Sequence, residues 1–256
     1  MADRSAIVVF PKIVKRIALL LFQVSSVNDR GAIGHNWRLT MIGELFDPEA
    51  ELAKSEHFLP HWAQSGAIVF VTMRTLDSIP NEVLERWQSE KREWFEKRGF
   101  PFVANWKDSL SQIPTKERQL FKRHFQRTRE DYLDSGMGLC LLRKRDLAEM
   151  VAKSLMHFDG DRYNMGDFII MPNHIHLLGA FYDAESMQKQ FDSWLHWTAR
   201  HINLAMGTKG SFWQEEPFDH LVRTEKQYEY LREYIANNPG KAKLPAGEYY
   251  YRRHDS

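Results

Sequence analysis

The chain has 256 residues, 43% hydrophobic and 27% charged, enough for a real core in one elaborated domain or two small ones. Its net charge of +1 gives no whole-molecule support for nucleic-acid binding. A single cysteine, Cys140, excludes an internal disulfide and a zinc site built on several thiolates, and it suits a reducing, cytoplasmic setting.

Near the start, the apolar text IVVFPKIVKRIALLLFQVSSV is broken by Lys12, Lys15 and Arg16. The run that follows, Ile17 to Phe22, is far short of the roughly 20 residues a membrane helix needs, so no membrane span is expected. Residues 1–56 show no clean periodicity and stand as an N-terminal extension without an assigned role. From His57 to Tyr250 the text reads as one domain, followed by a basic tail over 251–256.

Within that domain, Ala67 to Thr72 is β-rich and bounded by Ser-Gly and Ser-Ile-Pro. Pro80-Asn81 opens a helical stretch, with Val83, Leu84, Trp87, Trp94 and Phe95 near helical spacing and Gly99 as its stop. Pro114-Thr115 starts a second helix that runs to about Ser135-Gly136. Its segment KERQLFKRHFQRTR, Lys116 to Arg129, carries six Lys or Arg against one Glu. These helices form an insertion over about 80–135. Gly138 to Leu142 reads as a short strand, and Asp146 as the N-cap of a helix reaching Phe158.

The text YNMGDFIIMPNHIHLLGA, Tyr163 to Ala180, predicts two strands joined tightly at Pro172-Asn173, or one strand bent there. The next helix buries Met187, Phe191, Trp194, Leu195, Thr198 and Ile202, and Gly207 ends it. SFWQEEPFDHLVR is short and extended. A final helix begins at the cap Thr224 and is predicted to stop at Asn-Pro-Gly. Strands and helices in this order predict an α+β fold of ferredoxin-like character, a central antiparallel sheet with helices packed on it.

In a strand, His174 and His176 share one face while Ile175 and Leu177 share the other. Two imidazoles so placed are either structural histidines or a pair of divalent-metal ligands. On the last helix Tyr234 and Asn238 are one turn apart on one face. They can be a packed ring and a helix-end cap, or a phenolate nucleophile and an oxygen ligand. His220, Arg223 and Lys241 flank that helix as donors suited to a phosphate oxyanion. Phe212, Trp213 and Trp197 are candidates for base stacking. No glycine-rich phosphate loop occurs, which speaks against ATP-driven chemistry.

MPNHIHLLGA resembles the metal-binding strand of single-tyrosine HUH transposases, named for His-hydrophobic-His, and YIANNPGKA resembles the helix carrying their catalytic tyrosine. FWQEEPFDHLVR and FLPHWAQSGAIVFVTMR resemble the connecting segment and opening strand of the REP-associated branch. The resemblance runs from Phe58 to Tyr250, with the motifs in the family's order. It implies the HUH endonuclease fold, with His174, His176 and Asn238 as ligands of Mg²⁺ or Mn²⁺ and Tyr234 as nucleophile.

The implied activity is metal-dependent transesterification on single-stranded or hairpin DNA through a 5′-phosphotyrosine, as in a transposase. Relatives can share one site between two chains, so a homodimer is an expectation to test. The insertion departs from the simplest relatives, and Lys122, Arg123 and Arg127 within it are expected to contact DNA. A domesticated hairpin-binding protein without efficient cleavage is the alternative. A two-histidine phosphoesterase fits less well, because no second His-x-Thr/Ser element occurs.

Overall fold

The computed structural model describes residues 41–56, 60–103, 105–215 and 217–254. The expectations for 1–40, and for the opening of the strand text at 57–59, lie outside the described residues. A short antiparallel ladder of β1 (Ala53–Glu56) and β2 (Pro60–Ala63) precedes the main sheet. That sheet contains β3 (Ile68–Arg74), β4 (Tyr163–Ile170), β5 (His174–Phe181), β6 (Phe218–Leu221) and β7 (Tyr250–Arg252). All neighbours are antiparallel, in the order β6-β3-β5-β4-β7. Apart from the edge strand β7, this is the β-α-β-β-α-β ferredoxin-like arrangement that the sequence predicts.

The described residues also form α1 (Asn81–Glu96), α2 (Trp106–Gln112), α3 (Thr115–Asp134), α4 (Arg145–Met156), α5 (Ala184–Met206) and α6 (Glu225–Lys241). The two-residue alternation of β3 and β5 divides the core. Val69, Val71 and Met73, with Ile175, Leu177 and Phe181, pack under Leu147, Val151 and Leu155 of α4 and Phe191 and Trp194 of α5. Ile68, Phe70, Leu178 and Ala180 face the other way, against Tyr228, Leu231 and Ile235 of α6. Each fully buried aliphatic or aromatic side chain in these layers contributes about 1.5–3 kcal/mol. The sheet is thus buried on both sides, and among the described helices α6 alone supplies buried residues to the second layer.

The 41–56 segment belongs to this body: Ile42 joins the layer under α6, and Glu44 bridges Ala67. Helices α1 to α3 have an aromatic core of their own, formed by Trp94, Phe95, Leu110, Ile113 and Phe121. A second small cluster, Ile79, Trp87 and Leu133, lies at the base of α1 and α3. The sequence reading passed over α2. Its start carries a local signal, since the Asn105 side chain accepts from the amides of Lys107 and Asp108.

Several local expectations are corrected. Gly138 to Leu142 is no strand: Gly138 and Cys140 take positive φ angles of 94° and 51°, and a 3-10 turn covers Leu141–Arg143. The Leu139 amide donates to Asp77 there, and that of Leu142 to Pro172, so the segment's backbone is satisfied by neighbouring loops. Asp146 lies inside α4, whose N-cap is Lys144 without a side-chain cap, and the helix ends at Met156 rather than Phe158. The last helix does not stop at Asn-Pro-Gly but runs through Pro239 to Lys241. A proline so close to the end forfeits only one helical hydrogen bond, and Pro239 and Asn238 are both buried beneath the turn that follows.

One ion pair fixes α6 on the sheet. A register shift in β4 between Met165 and Phe168 turns the Asp167 carboxylate inward, where it is 2% exposed. Arg232 Nε donates to Asp167 Oδ2 at 3.0 Å and an η-nitrogen to Oδ1 at 3.2 Å, and the His254 amide also donates to Oδ1 at 2.8 Å. No described helix is long and apolar enough to cross a membrane. Removing the guanidinium in Arg232→Ala leaves a buried carboxylate short of its partner, so we expect a loss of about 3 kcal/mol. Urea unfolding followed by tryptophan fluorescence measures it, and a loss below 1 kcal/mol (about the value of an exposed pair) overturns the assignment.

Candidate active site

The register of β3 with β5 brings the first polar residues together. Thr72 lies directly opposite His176, and Arg74 opposite His174, on the sheet face that α6 covers. The Thr72 hydroxyl is 2.9 Å from His176 Nδ1. The Pro172-Asn173 turn does similar work for the other ring, placing Asn173 Oδ1 2.8 Å from His174 Nδ1. Because that oxygen can only accept, His174 Nδ1 carries the proton and Nε2 presents a lone pair. The two rings are 4.7 Å apart between centroids and nearly perpendicular.

Both histidines are buried, and burial keeps them neutral. It takes His174 down to about 3, helped by the neighbouring Arg74 guanidinium. It drives His176 well below its ordinary value as well, with His174, Arg74 and Lys241 adding to the effect. Neutral imidazole is the ligand form of histidine.

Helix α6 brings Tyr234 over the same face. Its hydroxyl is 3.4 Å from His176 Nε2, and its ring stands 5.2 Å from that imidazole. Asn238, one turn on, is completely buried, and its amide atoms meet no partner at hydrogen-bond geometry, although the side chain lies close enough to the Tyr234 hydroxyl to favour the phenolate. His174 Nε2 is likewise buried without a partner. Unsatisfied buried polar atoms cost about 1–3 kcal/mol each, so their gathering beside one phenol calls for an occupant. The donor chemistry, two neutral imidazoles and one amide oxygen, fits a divalent cation such as Mn²⁺ or Mg²⁺. Lys241 completes the surround, with its ammonium 4.3 Å from the Tyr234 ring centroid.

The insertion contributes two residues that the sequence reading missed. Glu130 and Asp134 of α3 lie close enough to Tyr234 to act on its phenol. Burial first, then these two carboxylates, push the tyrosine far above its usual range. Asp134 is itself raised to about 6 by burial, against the attraction of Lys241. What docks α3 here is Asn173, whose amide nitrogen donates to the carbonyls of Leu133 and Met137 at 3.3 and 3.0 Å. Asn173 therefore sets both the tautomer of His174 and the position of the acid-bearing helix. Their spacing from Tyr234 is long-range, and no local sequence pattern announces it.

The other expected site residues are placed as follows. His220 on β6 is buried and held neutral, down to about 4, by burial and then by Arg223. Phe70 stands between it and the pair, 5.3 Å from His220 and 5.4 Å from His176. Arg223 turns toward Phe46, 5.4 Å from its ring. Arg127 is exposed and pairs with Asp131 at 3.9 Å, Arg123 is exposed, and Lys122 is half-buried beside Arg118. No contact joins these three to the histidine pair among the described residues. Trp213 is buried, its indole donating to Thr198 at 2.8 Å, so it is a core residue and no stacking platform. Trp197 remains exposed, stacked on His201.

No protein-family model matches the chain, and no curated protein matches it. Among solved structures it is similar to a REP-associated tyrosine transposase bound to a REP hairpin, at 14% identity over 73% of each chain. The TM-score is 0.37, too slight a likeness to bear on this chain's activity.

The neutral histidines give the site a pH signature. His174, His176 and His220 have lowered values in the folded chain, so the unfolded chain binds more protons in acid. Their contribution is complete above about pH 6.5 and is lost as pH falls from there toward 3. Each titrating histidine removes about 1.4 kcal/mol per pH unit in that window. Urea midpoints measured in chelator from pH 7 to 5 should fall steeply, and a flat profile would contradict the buried neutral state.

Proposed function

We propose that the chain is a DNA strand transesterase acting on single-stranded or hairpin DNA, with Tyr234 as its nucleophile. The observation that carries this reading is the 3.4 Å approach of the Tyr234 hydroxyl to His176, beside the unpartnered atoms of His174 and Asn238. Packing of the half-buried Tyr234 phenol over two neutral imidazoles does not explain the His174 and Asn238 atoms that meet no partner at hydrogen-bond geometry. The choice of hairpin DNA rests on the resemblance of MPNHIH, FDH and YIANNP to the REP-associated branch.

His174 Nε2, His176 Nε2 and the Asn238 amide oxygen would hold a divalent cation. When bound, that ion supplies Lewis-acid polarisation of a phosphate oxygen and positive charge beside the phenol. The chain's own residues orient the reaction. Tyr234 loses its proton and its oxygen bonds to phosphorus in line with the leaving 3′-oxygen, which departs as a 3′-hydroxyl. The product is a 5′-phosphotyrosine, and attack by another 3′-hydroxyl reverses the step without ATP. Lys241 favours the phenolate, while the α3 carboxylates oppose it.

That opposition supports a second reading, a hairpin-binding protein with inefficient cleavage. Glu130 and Asp134 raise the cost of ionising the nucleophile, as a binder can tolerate and an efficient enzyme must overcome. The test uses labelled single-stranded hairpins with Mn²⁺, run on denaturing gels. The enzyme reading expects a protein–DNA adduct that is absent from Tyr234→Phe and in chelator. Cleavage persisting in Tyr234→Phe would mean water-mediated hydrolysis and sink the tyrosine mechanism. Binding without an adduct in either protein supports the binder.

Metal affinity offers a separate check. Thr72→Val keeps the side-chain volume but removes the hydroxyl that orients His176, and it should weaken Mn²⁺ binding by about 10–100-fold. Electron paramagnetic resonance of free Mn²⁺ reads this without activity. Unchanged affinity in Thr72→Val and in His174→Ala would remove the metal from the site.

A further inference from the structure

Apart from Arg129, the unpaired cations near the site lie outside the basic stretch Lys116 to Arg129. Many surface cations pair within a helical turn: Arg86 with Glu90, Lys97 with Glu93, Arg127 with Asp131, Arg145 with Glu149. Lys107, Lys91, Arg129 and Arg74 have no ion pair among the described residues, yet they lie in a row. Lys91 and Lys107 address one ring, their ammonium groups 4.6 and 5.9 Å from the centroid of Trp106. Lys91 also lies 5.8 Å from Phe125, which is one turn before Arg129 on α3.

Arg129 in turn lies within electrostatic range of Arg74. Burial brings Arg74 down to about 10, with the repulsion of Arg129 adding to it, and Lys91 is lowered by burial and then by Arg129 and Lys107. Each cation thus feels the next. Arg74 ends the row opposite His174 in the β3–β5 register, with Cβ atoms of such partners about 5 Å apart. Glu130 offsets Arg129 only in part, and a polyanion laid along the row would relieve the repulsion that remains.

We propose that Lys107, Lys91, Arg129 and Arg74 form a track for the phosphate backbone of a single DNA strand, leading over the α1–α3 insertion into the His174–His176 site. Trp106 and Phe125 sit among the cations as rings for the bases, the alternation used by grooves that follow single strands without reading sequence. The track deepens the transesterase reading and rests on it for the chemistry at its end. Lys122, seven residues before Arg129, extends the same helix face, whereas Arg123 and Arg127 lie on a different one. The chain's near-neutral total conceals this local grouping.

The experiment is fluorescence anisotropy with the full chain across a salt series. The probes are a labelled DNA hairpin with a single-stranded tail and the same hairpin without one. Lys91→Gln combined with Arg129→Gln should weaken binding of the tailed probe on the order of tenfold and flatten its log–log salt slope by about 1.4, near 0.7 per lost contact. The tailless probe should bind as before. Lys153→Gln with Lys189→Gln, on the helices of the opposite sheet face, removes the same charge and should change neither probe.

Equal binding of the tailed probe by the track variant and the unaltered chain overturns the track. So does an equal loss on both probes. Photo-crosslinking of an iodouridine tail to the unaltered chain tests it without a variant: adducts at Trp106 or Phe125 support it, and adducts confined to the opposite sheet face refute it. Binding along the track without any Tyr234 adduct would instead retire the transesterase reading and leave the track standing.

Discussion

The placement of α6 by the buried Arg232–Asp167 pair is the constraint on which the rest of the site depends. A helix lying on a sheet through Tyr228, Leu231 and Ile235 has little to fix its rotation, since apolar contacts tolerate sliding. The bidentate pair is directional, and both partners belong to fixed elements. Tyr234 is only two residues beyond Arg232, so a shift in that pair would carry the phenol away from His176. The register of β3 with β5 fixes the other half, because Thr72 and Arg74 reach the histidines only if the strands pair in this alignment.

Most of the sheet and its two histidines were legible because strand alternation is a local code. The sequence HIHLLGA states which residues share a face, and Gly207 and Thr224 mark helix ends by chemistry that acts within one turn. Where the reading failed, the deciding contacts are distant. Pro239 looks like a terminator until its burial under the following turn is known. Gly138 to Leu142 looks like a strand until Asp77 and Pro172 are seen to satisfy its amides. The short strands β1 and β7 carry too little periodicity to stand out from coil. The four residues His174, His176, Tyr234 and Asn238 could be chosen from motif order, yet their mutual approach depends on tertiary pairing. Asp167, Glu130 and Asp134 bore no local signal at all.

The insertion carries charges of both signs toward the site. Its carboxylates Glu130 and Asp134 keep Tyr234 protonated, and its Arg129 adds to the positive row that ends at Arg74. Both come from the last two turns of α3, which Asn173 ties to the turn before His174. The balance therefore depends on what fills the site. With the site empty, burial and the carboxylates dominate, and the phenol is inert toward stray electrophiles. A divalent cation held by His174, His176 and Asn238 would add positive charge beside the phenol and so oppose the carboxylates.

A strand lying on the proposed cation row would set its phosphates against Arg129 and Arg74. The Tyr234 phenol responds to burial, Glu130 and Asp134 rather than to these guanidinium groups, so cancelling their charge would not by itself activate it. The strand can assist the reaction only by bringing the scissile phosphate into line with the phenol, a gain in proximity rather than in charge. On the proposed reading, positioning and activation would be separate contributions: the insertion would align the strand, while Lys241 and a divalent cation held by the two imidazoles and Asn238 would favour the phenolate. Such a division would let an inserted helix carry acids toward Tyr234 without abolishing the chemistry there.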